Sequence, residues 1–175
     1  MEYLYDKIEQ YREFVGCKDV PNSILTNLSN RILLRDYQEY ALTNFISYYE
    51  DEKLSKNKQI HTLFHMATGS GKTVIMAALI LYLYTKGYRN FLFFVNQTNV
   101  LEKTIDNFIN TLSNKYLFND VIEHLGNKIK IKKVDNFSGN TLDDDIEILF
   151  TTTQKFHMDL FEAKENSITY EDFEN

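Results

Sequence analysis

Apolar residues recur at helical spacing from the start of the chain. Leu4, Ile8, Tyr11 and Phe14 lie three or four positions apart between Met1 and Phe14, and Gly16 follows as a stop. Pro21, Asn22 and Ser23 open a connector. Leu33, Leu34, Tyr37, Tyr40, Ala41, Leu42, Phe45 and Tyr48 then predict a second amphipathic helix over about Arg35 to Tyr49. Glu50 to Lys58 is almost wholly polar and mixes acids with lysines, the composition of a solvated loop.

Past that loop the periodicity changes. Ile60 to Met66 is a short apolar run with a β-branched start, followed by a glycine-containing turn and a long apolar stretch from Val74 to Tyr84. The order predicted is strand, loop, helix. Gly87 ends that helix, and Phe91 to Val95 has the continuous apolar character of a parallel strand covered on both faces. Val100, Leu101, Ile105, Phe108, Ile109 and Leu112 mark a further helix. Strands are predicted at Ile129 to Val134 and Ile146 to Thr151, and a last amphipathic piece at Phe156 to Phe161. Strands alternating with helices imply a mainly parallel α/β sheet with right-handed crossovers. There is no internal repeat.

Composition narrows the class. A chain of 175 residues with 43% hydrophobic and 25% charged positions suits one globular domain and excludes low-complexity or disordered architectures. The single cysteine, Cys17, forms no internal bridge, and without a local His partner it reads as a packed side chain. The first residues mix charges with aromatics and lack the form of a secretory signal. The longest apolar run, Val74 to Tyr84, is about half the ~20 residues that cross a bilayer, so no membrane association is expected and the cytoplasm is the expected compartment. A net charge of −6 argues against a broad positive field for nucleic acid and leaves local patches open. One such patch is Lys128, Lys130, Lys132 and Lys133 around Ile129 and Ile131. It could touch phosphates, but lysines protecting an exposed edge strand explain it better. Asp143 to Asp145 reads as a solvated turn. His61 and His65, four apart but without an intervening Glu, read as strand histidines rather than zinc ligands.

The chemically informative segment is Met66-Ala67-Thr68-Gly69-Ser70-Gly71-Lys72-Thr73, set between an apolar strand and an apolar helix. Gly69 and Gly71 let the backbone curl with its N–H groups inward, forming a nest for phosphate oxygens around Ser70. The helix beginning near Lys72 adds its positive end. Lys72 then serves the outer phosphates, and the hydroxyl of Thr73 is suited to ligate Mg²⁺. The spacing G-x-x-x-x-G-K-[ST] is not met, because Met66 stands where its first glycine would be. The bland alternative is a glycine-rich turn that happens to carry a lysine. Thr68, Gly69, Gly71, Lys72 and Thr73 together, with strand and helix on either side, favour nucleotide binding.

Met66 followed by x-T-G-x-G-K-T resembles motif I of superfamily 2 helicases and translocases, better than it resembles small kinases or GTPases. Three other segments fall where that superfamily would put them, and together they span about Arg31 to Lys155. Leu34-Arg35-Asp36-Tyr37-Gln38 resembles the adenine-reading segment, in which Gln38 would hydrogen-bond the base edge, with Tyr37 or Arg35 packed near it. Alone, it is also an ordinary helix start with a surface glutamine. Phe91 to Thr98 resembles a buried strand whose polar end, Asn96, Gln97 and Thr98, meets the nucleic-acid backbone. Ile148 to Gln154 resembles the next such motif, ending in Thr152, Thr153 and Gln154. By themselves both are ordinary strand ends. The wording of the series, HMATGSGKT, FFVNQTNVLEKT and FTTTQKFH, resembles the restriction (Res) subunit of type III restriction-modification enzymes, with type I motor subunits close behind.

The resemblance implies an α/β fold of RecA-like, P-loop NTPase type, a mainly parallel sheet between helices. Residues 1–50 would be an N-terminal helical extension carrying the adenine-reading segment, and 59–175 an incomplete first motor domain. It implies ATP and Mg²⁺ as cofactors. As partners it implies double-stranded DNA, through the parent motor, and a modification (methylase) subunit. Hydrolysis in that family also needs an apolar strand ending in Asp-Glu, and the sequence has none. The expectation is therefore the amino-terminal part of a larger motor, truncated before the Walker B strand. Such a chain would bind ATP without hydrolysing it or cutting DNA, and would leave the phosphate-loop strand without its sheet neighbours. Two alternatives stay open. A small P-loop kinase would need an arginine-bearing lid, yet no arginine follows Asn90. A non-enzymatic fragment would bind partner subunits without using ATP.

Overall fold

The computed structural model describes residues 3–16, 18–56, 59–137 and 144–161. Seven helices and five strands are described: α1 Leu4–Val15, α2 Asn22–Leu25, α3 Asp36–Glu50, α4 Glu52–Ser55, α5 Lys72–Thr85, β1 Asn90–Val95, α6 Thr98–Ile109, β2 Ile122–His124, β3 Asn127–Ile129, β4 Ile131–Val134, β5 Ile146–Thr152 and α7 Thr153–Phe161. The main sheet is wholly parallel, in the order β1-β5-β4. Phe91 stands opposite Ile148 and Val95 opposite Thr152 on one side of β5, and Ile131 stands opposite Ile146 on the other. This is a partial RecA-like α/β fold. No helix among the described residues is long and apolar enough to cross a membrane.

The central helix is α5. Ile75, Ala77, Ala78, Ile80, Leu81, Tyr82 and Tyr84 are all buried, because this helix is apolar around most of its circumference and is packed from several sides. One core joins it to Leu42, Phe45 and Ile46 of α3, Phe108 of α6, and Ile146, Ile148 and Phe150 of β5. Aromatic rings fill it in two groups. Tyr82 meets Phe45 and Tyr49 edge-on at 6.1 and 5.7 Å, while Phe108 contacts Phe93, Phe118 and Phe150 at 5.6 to 6.0 Å. The amino-terminal helix is tied to α3 by Arg12, whose guanidinium lies 4.3 Å from the centre of the Tyr40 ring and donates to Asn44 Oδ1. Tyr40 in turn donates to Glu9.

Three expectations are corrected. Residues 60–66 form no strand: none of the described strands lies alongside to complete a ladder, and strand character requires that partner. Their apolar side chains still pack as expected, with Ile60, Phe64 and Met66 against the core and Leu63 facing outward. The run 129–134 is divided between two sheets, because the chain turns at Lys130. Ile129 closes the β2–β3 hairpin opposite Ile122, while Ile131–Val134 becomes the edge strand β4. Of the acidic run, Asp143 lies outside the described residues, and Asp144 and Asp145 form a brace rather than a solvated turn. Asp145 pairs with Lys132 at 2.7 Å and accepts from the Lys130 N–H, and Asp144 accepts from Arg89 Nε at 3.0 Å. Cys17 lies outside the described residues. The polar stretch after α3 contains the short helix α4, started by Asp51, whose carboxylate accepts from the Lys53 and Leu54 N–H groups.

Glu50, the last residue of α3, joins three segments. It accepts from Lys18, from Lys86 Nζ at 2.6 Å and from the Tyr82 hydroxyl at 2.9 Å. Partial burial pushes its carboxyl up, but the bonds from Lys18, Lys86 and Tyr82 outweigh that and hold the pKa at about 2. Because the folded-state value lies below the ordinary 4.5, the stabilisation is complete above that pH and disappears as pH falls toward 2. Urea unfolding of wild type and Glu50→Gln between pH 7 and pH 2.5 is expected to show a stability gap that closes on acidification. A gap of constant size would refute the assignment.

Candidate nucleotide site

The site is built where the segment 60–66 runs into α5. Gly69 and Gly71 adopt φ of +80° and +83°, values that side chains with a β-carbon resist, and Gly71 is also the N-cap of α5. At Gly71 space is restricted as well: a β-carbon there would stand 2.4 Å from Gln38 Nε2. The Ser70 N–H and hydroxyl both turn back to the Ala67 carbonyl, at 3.3 and 2.7 Å. With the chain curled this way, the N–H groups of Gly69, Gly71, Lys72 and Thr73 have no acceptor among the described residues. Four unpaired donors at the start of a helix are chemically suited to an anion.

Lys72 folds back over the loop. Its Nζ donates to the carbonyls of Met66 at 3.0 Å and Ala67 at 2.9 Å, so the ammonium is held at the mouth of the nest by neutral acceptors that an anion can displace. The Thr73 hydroxyl has no hydrogen-bond partner among the described residues. Thr68, Gly69, Gly71, Lys72 and Thr73 line one side of an open cleft of about 640 Å³, and Ser70 forms the back of the loop. That volume accommodates a nucleotide-sized ligand.

Tyr37 and Gln38 reach this loop from α3, and Arg35, the N-cap residue of that helix, supports Tyr37. Gln38 is buried with 5% of its surface exposed, and both ends of its amide are engaged. Its Oε1 accepts from the Arg35 N–H at 3.0 Å, capping its own helix, while its Nε2 donates to the Ser70 carbonyl at 2.9 Å. The Tyr37 hydroxyl donates to the same carbonyl at 2.9 Å and accepts from Arg35 at 3.1 Å. The residues singled out as adenine readers thus grip the phosphate loop from behind.

The strand-end residues gather elsewhere. Parallel pairing of β1 with β5 brings their ends together, and Thr153 Oγ1 donates to Asn96 Oδ1 at 3.2 Å. Gln97 stands at the N-cap position of α6 without a side-chain capping bond, and Thr98 is the first residue of the helix. Thr152 Oγ1 accepts from the Lys155 N–H at 3.1 Å, and Thr153 and Gln154 begin α7. Asn96, Gln97, Thr98, Thr153 and Gln154 are exposed, and Thr152 is half-buried. Among the described residues no hydrogen bond joins this group to the phosphate loop. The opposite wall of the cleft, which includes Arg31, Asn107, Asn114, Lys115 and Tyr116, was not marked by any motif. Asn107 comes from α6 and the others from two separate connectors, and only folding brings Arg31 beside the rest.

The family model for "Type III restriction enzyme, res subunit" matches residues 31–174. The chain belongs to that family. The match therefore covers the segment Leu34–Gln38, the glycine loop from Met66 to Thr73 and both strand ends. A curated relative, a probable type III restriction-modification enzyme HindVIP Res subunit from Haemophilus influenzae, is 46% identical over 142 residues. That alignment takes in 78% of this chain and 27% of the relative, so this Res-family chain spans about a quarter of the relative's length. No solved structure matches the chain.

Gly71→Ala is expected to destabilise the protein by about 1–2 kcal/mol from backbone conformation alone, with an added cost from the contact with Gln38. Denaturant unfolding in a Gln38→Ala background is expected to recover the second part and not the first. Equal losses in both backgrounds would show that Gln38 does not crowd Gly71.

Proposed function

We infer that this chain is the ATP-binding part of a Res-type motor that moves along DNA in a restriction-modification system. The observation that carries this reading is the set of four unpaired N–H groups from Gly69 to Thr73, with the Lys72 ammonium held beside them on displaceable carbonyls. A triphosphate tail has the charge and the acceptor oxygens to satisfy both. The residues also suit a magnesium ion. The free hydroxyl of Thr73 is a hard oxygen donor at the start of α5, beside the lysine. When bound, Mg²⁺ supplies charge neutralisation between the outer phosphates.

Gln38 and Arg35 link base recognition to loop shape. A base edge that engages the Gln38 amide competes with the Ser70 carbonyl and the Arg35 N–H, so binding there shifts the loop that holds the phosphates. Asn96, Gln97, Thr98, Thr152, Thr153 and Gln154 offer neutral donors suited to a DNA backbone, which such groups position without reading sequence. A modification subunit is the protein partner, and the cytoplasm the compartment, that this reading carries with it. Binding is the activity assigned to these residues.

A thermal or denaturant melt with Mg²⁺ and ATP tests the reading. At a hundred times its dissociation constant, ATP is expected to raise stability by about 2.7 kcal/mol, and Lys72→Ala to remove most of that gain. Indifference of the wild-type protein to ATP would end it.

A further inference from the structure

Residues 60–66, which lead into the glycine loop, have the side-chain pattern of a strand and none of its backbone pairing. Ile60, Phe64 and Met66 pack against the core, while Leu63 is 90% exposed and His61 and His65 are exposed on either side of it. Inward at 64 and 66 and outward at 63 and 65 is the alternation of a strand. Yet among the described residues the backbone N–H groups and carbonyls of 60–66 have no partner, apart from the Met66 carbonyl, which accepts from Lys72 Nζ. Backbone groups held in this way form an edge that another strand can complete. The edge borders an open groove of about 450 Å³ that separates it from α1 and α3, with Leu4, Ile8, Ala41 and Phe45 in the lining.

The chemistry of this edge invites pairing. On the edge strand β4, Lys132 and Lys133 discourage a foreign strand. From Gln59 to Gly71, by contrast, there is no Asp, Glu, Lys, Arg or Pro, in a chain where 25% of residues are charged. Two copies, each of net charge −6, can therefore meet along this segment without setting like charges opposite each other. The segment also has two-fold chemical symmetry. Leu63 is its centre, His61 and His65 stand two positions to either side, and the apolar Ile60 and Met66 stand three. Antiparallel pairing about that centre sets Leu63 opposite its own copy, His61 opposite the partner's His65 and Ile60 opposite the partner's Met66. A closed two-fold contact requires such self-complementarity, because one surface must serve both sides. A strand from an unrelated protein would make no such demand on this sequence.

We propose that 60–66 is a dimerisation strand, which pairs antiparallel with the same segment of a second copy of this chain about Leu63. Pairing supplies the ladder that the segment needs to become a strand. The inference is independent of the nucleotide reading, although the strand ends at the Met66 carbonyl that holds Lys72.

Sedimentation velocity of the 175-residue chain, from low micromolar to near-millimolar concentration, tests this. A reversible monomer–dimer equilibrium with a micromolar dissociation constant is expected, since one short strand pair is a small interface. Leu63→Lys sets two ammonium groups opposite each other at the centre. It is expected to weaken the dimer roughly tenfold or more while leaving the thermal unfolding of the monomer unchanged, because the side chain it replaces is exposed. Cysteine cross-linking in a Cys17→Ser background reads the alignment. Leu63→Cys is expected to form an intermolecular disulfide with itself. His61→Cys is expected to link to His65→Cys but not to itself, since its two copies would stand about 13 Å apart along the strands. A chain that stays monomeric at every concentration would overturn the proposal. So would a dimer or larger aggregate that survives Leu63→Lys, or self-linking of His61→Cys as efficient as that of Leu63→Cys, which is the pattern of parallel stacking.

Discussion

The carbonyl of Ser70 is the point on which the site depends. Tyr37 and Gln38 both donate to it, and because the peptide is trans, a carbonyl held by two donors on one side turns the Gly71 N–H of the same plane to the other. The two positive φ angles at Gly69 and Gly71 make that arrangement possible, and the buried amide of Gln38 makes it tight. Anion binding by such a loop owes its strength to donors that are already aligned, since aligning them at the moment of binding would consume the affinity they supply.

That grip is only as firm as the seating of α3 on α5. Phe45, Tyr49 and Tyr82 interlock between the two helices, and Glu50 draws Lys18, Lys86 and Tyr82 to one carboxylate at the far end of α3. A helix pinned along its length and at its C-terminal end holds its first turn, with Tyr37 and Gln38, at a fixed height over the loop. Packing at one end of the molecule thus sets hydrogen-bond geometry at the other.

Charge is distributed to the same end. A protein of net charge −6 repels a triphosphate at long range, so a cleft that admits one must exclude carboxylates locally. Here the carboxylates near the core are consumed by ion pairs and helix ends: Glu50, Asp51, Asp106, Asp144 and Asp145 all accept hydrogen bonds within the protein. What remains facing the loop is cationic or neutral.

The sequence by itself determined the glycine loop, the helices that bracket it and the strands at 91–95 and 146–151, because each is written in local spacing: glycines where φ must be positive, apolar runs where strands form. Of the two strands only β5 is covered on both faces, while β1 lies at the sheet edge with Phe94 exposed. It also placed Gln38 and Lys72 correctly at their elements. It could not decide whether 60–66 would be a strand, since that depends on a neighbour supplied from elsewhere, nor that 129–134 would split at Lys130, nor that Asp144 and Asp145 would act as a brace. Only the tertiary structure brought Asn96 against Thr153, turned the Gln38 amide onto Ser70, and set Arg31 and Lys115 across from Lys72. Those residues are far apart in the chain and individually unremarkable, and their chemistry arises from the distances that folding imposes.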